Sequence, residues 1–191
     1  APPCQNRNQA RNHRNVAGQR PKRHANLIEF ALLEHYGGTW IDSTVYLTDP
    51  IPDMILNSDF FAVRNSLLLI DNPVLYPAWF LHAKKGNKTI REIRNVAFAY
   101  WLKNEHVIEY LLPNLIITLV VKSNPEVEKA IPYMNSDYSE YLVKVLADDY
   151  SEEKWNWIKK LTGIHKLTYK LSPSIDADGT FYKALIENSI E

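Results

Sequence analysis

Residues 32–47 read Leu-Leu-Glu-His-Tyr-Gly-Gly-Thr-Trp-Ile-Asp-Ser-Thr-Val-Tyr-Leu. An apolar helical run stops at Gly37 and Gly38, because glycine readily takes the left-handed backbone that ends a helix. The same pair has no side chains, which lets another backbone or a ligand approach closely. Residues 39–41 then read as a buried strand that delivers one carboxylate, Asp42.

Asp42 is the chemical centre that this pattern predicts. A carboxylate followed by the small hydroxyl residues Ser43 and Thr44 suits a hard divalent cation that carries a diphosphate. The same residues also fit an aspartate that caps a turn, so spacing alone leaves both interpretations open.

The string from Ala31 to Pro52 resembles the signature of the capsular polysaccharide synthesis proteins, relatives of glycosyltransferases with a DxD-containing sugar-binding region. In the wider group the strand ends in Asp-x-Asp, and in the capsular branch the second acid is commonly threonine, as at Thr44 here. The likeness continues through residues 79–86 and 164–170. It implies an α/β domain of the GT-A type, with a mixed sheet flanked by helices. Such a domain moves a sugar from a nucleotide-diphosphate donor to a glycan or lipid-linked glycan acceptor, with Mn²⁺ or Mg²⁺ as cofactor.

Residues 164–170 form the second group of candidate site residues. Strand alternation places His165 on one face, and Lys166 and Lys170 on the other. A neutral imidazole can complete a metal site, and lysines neutralise the charge on a departing diphosphate; a half-buried strand with solvated lysines is the alternative. From the resemblance we assign a catalytic role to Asp42, metal binding to Asp42 and His165, and substrate binding to Asn26, Gly37, Gly38, Trp40, Thr44, Lys166 and Lys170.

The chain departs from its relatives just before the paired glycines. Where they carry Ser-Asp-x-x-Arg, this sequence has Ala25, Asn26 and Glu29. Glu29 reverses the charge offered to a phosphate or sugar. This departure favours a second interpretation, a catalytically degenerate or truncated GT-A-like domain that acts only in binding.

Residues 1–25 differ in composition from the rest of the chain. They are rich in arginine and asparagine and contain no acid, so we expect a disordered segment ahead of a transferase-like domain over residues 26–191. In relatives this region holds the first β-α-β unit, and the expected fold therefore lacks that unit; a truncation or a frame error would produce the same start. A basic arm also suits docking on an anionic membrane surface.

Composition fits one domain of 191 residues with 22 basic and 22 acidic side chains. The zero net charge argues against an overall nucleic-acid binder. The single cysteine, Cys4, excludes an internal disulfide and is compatible with a reducing cytoplasm. The longest apolar run, residues 111–121, is shorter than the roughly 20 residues that span a bilayer. We therefore expect a cytoplasmic protein, with peripheral association at the inner face of a membrane as an option.

Periodicity and chain breakers predict the remaining elements. The expected helices cover residues 24–35, 89–104, 152–162 and 181–187, and the expected strands cover 60–64, 78–83 and 164–170. Residues 106–122 are helical in period but interrupted at Pro113, which predicts a kink or two pieces.

Overall fold

The computed structural model describes residues 19–66, 72–171 and 175–187. In this part the helices are α1 (Gln19–Tyr36), α2 (Asp53–Leu56), α3 (Lys88–Lys103), α4 (Leu112–Lys122), α5 (Pro125–Ala130), α6 (Ser136–Ser139), α7 (Tyr141–Lys144), α8 (Glu152–Leu161) and α9 (Phe181–Ile186). The strands are β1 (Gly38–Ile41), β2 (Val45–Leu47), β3 (Phe60–Ala62), β4 (Phe80–Ala83) and β5 (Ile164–Lys166). The predicted α/β class is thus confirmed.

Helix α1 begins earlier than predicted. Residues 19–25 are helical in the structure, so the segment expected to be disordered is too long at its C-terminal end. Residues 1–18 of that segment lie outside the described part of the chain. Glutamine, lysine, arginine and alanine are good helix formers, and a helix nucleated by the apolar residues that follow extends through them at little cost. The expected boundary after residue 25 therefore falls inside one helix.

The paired glycines end α1 and start β1 as predicted. Gly37 has φ of 72° and its N–H donates to the carbonyl of Leu33 at 2.9 Å. A Cβ at Gly37 would lie 2.6 Å from the backbone nitrogen of Lys85, so only glycine fits this close approach. The contact holds β1 beside β4, with Gly38 opposite Ala83.

The strands form two small sheets rather than the expected single mixed sheet. Within the described residues the first sheet has the order β1-β4-β3 and the second has β2 beside β5, and both are antiparallel throughout. The turn at residues 42–44 directs the chain out of the first sheet, so β2 pairs with β5 instead of with β4. The GT-A likeness stays a prediction.

The first sheet is buried on both faces. Trp40 and Leu81 lie on the face that packs against α1, α3 and α4, whereas Ile41 and Phe80 lie on the opposite face with Ile55 of α2. Full burial of one such side chain contributes about 2 kcal/mol, so the two layers fix the sheet firmly. Because side chains alternate along a strand, the residue after Ile41 points toward the α1 side.

A third apolar cluster joins α7, α8 and α9. It is built on Trp155 and Ile158 of α8, which lie on one face of the helix, together with Leu142 and Phe181. Trp155 of this cluster also lies beside His165 of β5, with 6.1 Å between their ring centres.

Candidate functional site

Asp42 lies immediately after β1, at the turn into β2. Its N–H donates to the carbonyl of Trp79, and its own carbonyl accepts from the N–H of Val45, each at 2.9 Å. The side chain of Asp42 is 41% exposed, so solvent or a ligand can reach it. Asp42 therefore does form part of a turn, and its side chain remains available for chemistry.

The pairing of β2 with β5 brings Lys166 to this carboxylate. Val45 lies opposite Lys166, and the N–H of Leu167 donates to the carbonyl of Thr44 at 2.8 Å. The Nζ of Lys166 donates to Oδ2 of Asp42 at 3.0 Å and also to Oγ1 of Thr44. We call Asp42, Thr44 and Lys166 the Asp42 cluster; it joins three of the predicted site residues.

Glu29 of α1 lies near the cluster and is almost fully buried. Its side chain is 3% exposed, and its Oε1 has no hydrogen-bond partner among the described residues. Burial, together with the negative charge of Asp42, raises the pKa of Glu29 to about 9. The carboxyl is therefore protonated at neutral pH, and Glu29 does not bring the reversed charge that its sequence position suggests.

A second acid that sequence reasoning did not single out also lies near Lys166. Burial raises the pKa of Glu140, which follows α6, and the positive charges of Lys144 and Lys166 partly oppose that rise. Nothing in the local pattern around Glu140 indicates this proximity. The sequence did contain a signal for the burial of Glu29. Leu33 lies one helical turn further along α1, on the same buried face.

The glycines, Trp40 and Asn26 occupy different surroundings. The space beside Gly37 is filled by the chain's own backbone, whereas a Cβ placed on Gly38 would have no described atom within 4 Å apart from those of its chain neighbours. Trp40 is partly buried against the α1 side, and its Nε1 has no partner within the described residues. Asn26 belongs to α1, and its side chain lies outside what the structure describes.

His165 is not brought together with Asp42. Its ring is fully buried, hydrogen-bonds through Nε2 to Oγ1 of Thr48 at 3.1 Å, and lies 6.1 Å from the ring of Trp155. Burial lowers the pKa of His165 to about 4, only partly opposed by the charge of Asp49. Alternation along β5 turns this ring to the face opposite Lys166, contrary to the expected shared metal site.

Lys170 lies beyond the end of β5, which is shorter than predicted. Its exposed ammonium is 5.8 Å from the ring centre of Tyr169 and 6.0 Å from that of Tyr110. The structure thus gives Lys166, not Lys170, the contact with Asp42.

The side chains around Asp42 do not fit the expected Mn²⁺ or Mg²⁺ ion. Within residues 19–66, 72–171 and 175–187 no group of three or more histidine, cysteine or acidic side chains could hold a metal. Asp42 already pairs with an ammonium, Glu29 is protonated at neutral pH, and His165 faces away. Of these three side chains, Asp42 alone offers a charged carboxylate within reach of a ligand, and its Oδ2 already accepts from Lys166.

No helix in the described part of the chain is both long and apolar enough to cross a membrane.

Comparison with protein-family models identifies the family. A family model described as capsular polysaccharide synthesis protein matches residues 20–185, which include α1, the Asp42 cluster and β5. No curated protein matches the chain. The match covers most of the sequence and contains both groups of residues on which the site is built. The chain therefore belongs to the capsular polysaccharide synthesis protein family, and this membership indicates a role in capsule biosynthesis.

Proposed function

We propose that this chain is a glycosyltransferase that moves a sugar from a nucleotide-diphosphate donor to a glycan acceptor during capsule synthesis. The observation that carries the proposal is the Asp42 cluster, where the ammonium of Lys166 sits 3.0 Å from the carboxylate of Asp42 at a partly exposed position. A lysine held in place at a strand end is suited to bind a phosphate oxygen.

Sugar transfer makes a specific demand on such a site. The bond between the anomeric carbon and the β-phosphate oxygen breaks, and its electron pair stays with the phosphate. The acceptor hydroxyl oxygen bonds to the anomeric carbon, and its proton passes to the released diphosphate. Negative charge builds on the leaving group as the bond breaks, so a fixed cation beside it lowers the barrier.

The roles of the chain's residues follow from their contacts. Lys166 would contact the diphosphate, and Asp42 and Thr44 would hold its ammonium in position. Gly38, whose Cβ side is open, would let the donor approach the backbone at the start of β1. The order of α1, a paired-glycine turn and β1, followed directly by Asp42, supports a GT-A-like arrangement.

The second candidate is a domain that binds glycan or nucleotide without turnover. The burial of Glu29 favours it, because a protonated carboxyl in place of the arginine of relatives removes a positive charge from the region near Asp42. Only a measurement of turnover separates the two candidates.

The test is a panel of nucleotide-diphosphate sugars assayed by isothermal titration calorimetry and by release of nucleoside diphosphate, with and without Mn²⁺. We expect at least one donor to bind and to be consumed when a capsular glycan is supplied. Replacing Lys166 by glutamine should weaken donor binding, whereas Lys160→Gln, an exposed lysine of α8, should not.

Binding without release of nucleoside diphosphate would favour the non-catalytic candidate. No binding of any donor, with or without Mn²⁺, would refute the transferase proposal.

A further inference from the structure

The positive charge beside the donor diphosphate could come from a divalent cation or from the ammonium of Lys166. A divalent cation in a protein is commonly held by one or two carboxylates plus the substrate phosphates. Asp42 is the carboxylate at the end of β1, but its Oδ2 already accepts from the Nζ of Lys166 at 3.0 Å. A cation that binds Oδ2 of Asp42 would compete with this ammonium for the same oxygen.

The surrounding side chains do not compensate for that loss. Thr44 stands where the wider group has a second acid, and its hydroxyl is also engaged by Lys166. Glu29 is buried with an Oε1 that has no hydrogen-bond partner in the described part of the chain, and His165 lies on the other face of β5 beside Trp155. Within the described residues no group of three or more histidine, cysteine or acidic side chains could hold a cation, and the carboxylate of Asp42 is shared with Lys166.

Lys166 is positioned to supply the positive charge that a divalent cation would otherwise supply. An ammonium has three N–H donors, of which two are accounted for by Asp42 and Thr44. The side chain is 20% exposed, so the third donor can reach a group arriving from solvent. Its position is fixed by the backbone, since β5 pairs with β2 opposite Val45.

We infer that Lys166 takes the place of a divalent cation, so that donor binding and sugar transfer by this chain are metal-independent. The inference rests on the proposed function and specifies which group neutralises the diphosphate. Asp42 is then a positioning residue that holds the ammonium through a charge-assisted hydrogen bond, rather than a metal ligand.

The first experiment compares donor binding in EDTA with donor binding in Mn²⁺ or Mg²⁺, by isothermal titration calorimetry on the full chain. We expect the dissociation constant of the bound donor to be the same under both conditions. We also expect Mn²⁺ titrated into the chain with nucleoside diphosphate to give no binding beyond that of the nucleotide alone. A donor that binds, or is consumed, only when the cation is present would overturn the inference.

The second experiment compares three substitutions that should change donor binding to different extents. Lys166→Gln should weaken donor binding roughly 10- to 100-fold, the loss of one hydrogen bond to a charged group. Lys166→Arg should restore much of it, because the charge is kept. Asp42→Asn keeps an oxygen that can accept from Lys166, so binding should change by no more than about tenfold.

The Asp42→Asn variant is the sharpest of the three. If Asp42 held a cation, the amide would abolish donor binding while the fold stayed intact, and that result would refute the inference. Far-UV circular dichroism and a thermal unfolding curve for each variant establish that the chain is folded. Lys160→Gln is the matched control on an exposed lysine.

The failure of this inference is distinguishable from failure of the proposed function. Cation-dependent turnover contradicts metal independence and leaves the glycosyltransferase proposal standing. No binding of any donor under any condition refutes the proposed function and removes the inference with it.

Discussion

The Glu29→Gln substitution is expected to stabilise the protein by an amount that grows as the pH rises. Glu29 is 3% exposed, and burial with the nearby charge of Asp42 raises its pKa to about 9 from an ordinary 4.5. Between these two values the folded chain holds a proton that the unfolded chain releases. The contribution of Glu29 to the free energy of unfolding is therefore fully present below the ordinary pKa, and it is lost as the pH rises toward the pKa of the folded state.

The size of the effect follows from the linkage between proton binding and folding. Each pH unit inside this window changes the free energy of unfolding by about 1.4 kcal/mol for one proton. From pH 5 to pH 8 the contribution of Glu29 should fall by on the order of 4 kcal/mol. Total stabilities of single domains are about 5–15 kcal/mol, so the change is readily measured.

The assay is urea denaturation of the wild type and of Glu29→Gln at pH 5, 6, 7 and 8. The neutral amide has nearly the shape of the protonated acid but does not titrate, so the difference between the two free energies isolates Glu29. Glu92→Gln, on the exposed face of α3, is the matched control and should follow the wild type at every pH. A difference between wild type and Glu29→Gln that stays constant from pH 5 to 8 would show that Glu29 is ionised in the folded chain, and the reasoning would fail.

Three further predictions concern the scaffold of the site. Burial lowers the pKa of His165 to about 4. The contribution of His165 to the free energy of unfolding is therefore present above the ordinary pKa of 6.5 and should fall by about 2 kcal/mol between pH 7 and 5. An NMR titration that shows imidazolium at this residue above pH 5.5 would contradict this prediction. Gly37→Ala should lower the urea midpoint more than Gly38→Ala, since both have positive φ but only the first would clash with the backbone of Lys85; equal midpoints would contradict the close approach. Asn87→Ala should cost about 1 kcal/mol in urea denaturation, because the side chain of Asn87 accepts from two N–H groups of the first turn of α3; no loss would mean that solvent replaces this cap.

Local signals predicted the elements that begin or end on a single residue. The helix predicted over residues 152–162 is α8, and Ser151 caps it by accepting from the N–H of Lys154 at 3.2 Å, a role that serine commonly has. Pro113 was expected to interrupt a helix, but it lies in the first turn of α4, where its missing N–H costs nothing. A proline can either kink a helix or stand in its first turn. Which of the two occurs depends on whether the residues before it pack as a helix.

The protonation of Glu29 could not be predicted from its position in the sequence. The residue type indicates a negative charge, and the comparison with relatives makes that charge conflict with a phosphate site. Burial of Glu29 reverses the conclusion, because an ionised carboxyl there would lose its hydration while its Oε1 gains no hydrogen bond from the described residues. The charge of a site therefore depends on packing that the residue types do not encode.

Which side chain of β5 reaches Asp42 depends on a strand pairing that no local pattern specifies. Alternation within residues 164–170 separates His165 from Lys166, but it does not say which of them faces Asp42. The register that places Val45 opposite Lys166 makes that choice. A shift of one residue would turn Lys166 toward the apolar side of Trp155, where an unpaired ammonium would cost on the order of several kcal/mol. The neutral imidazole of His165 tolerates that burial, so the energetics of packing select the register that gives Asp42 an ammonium partner.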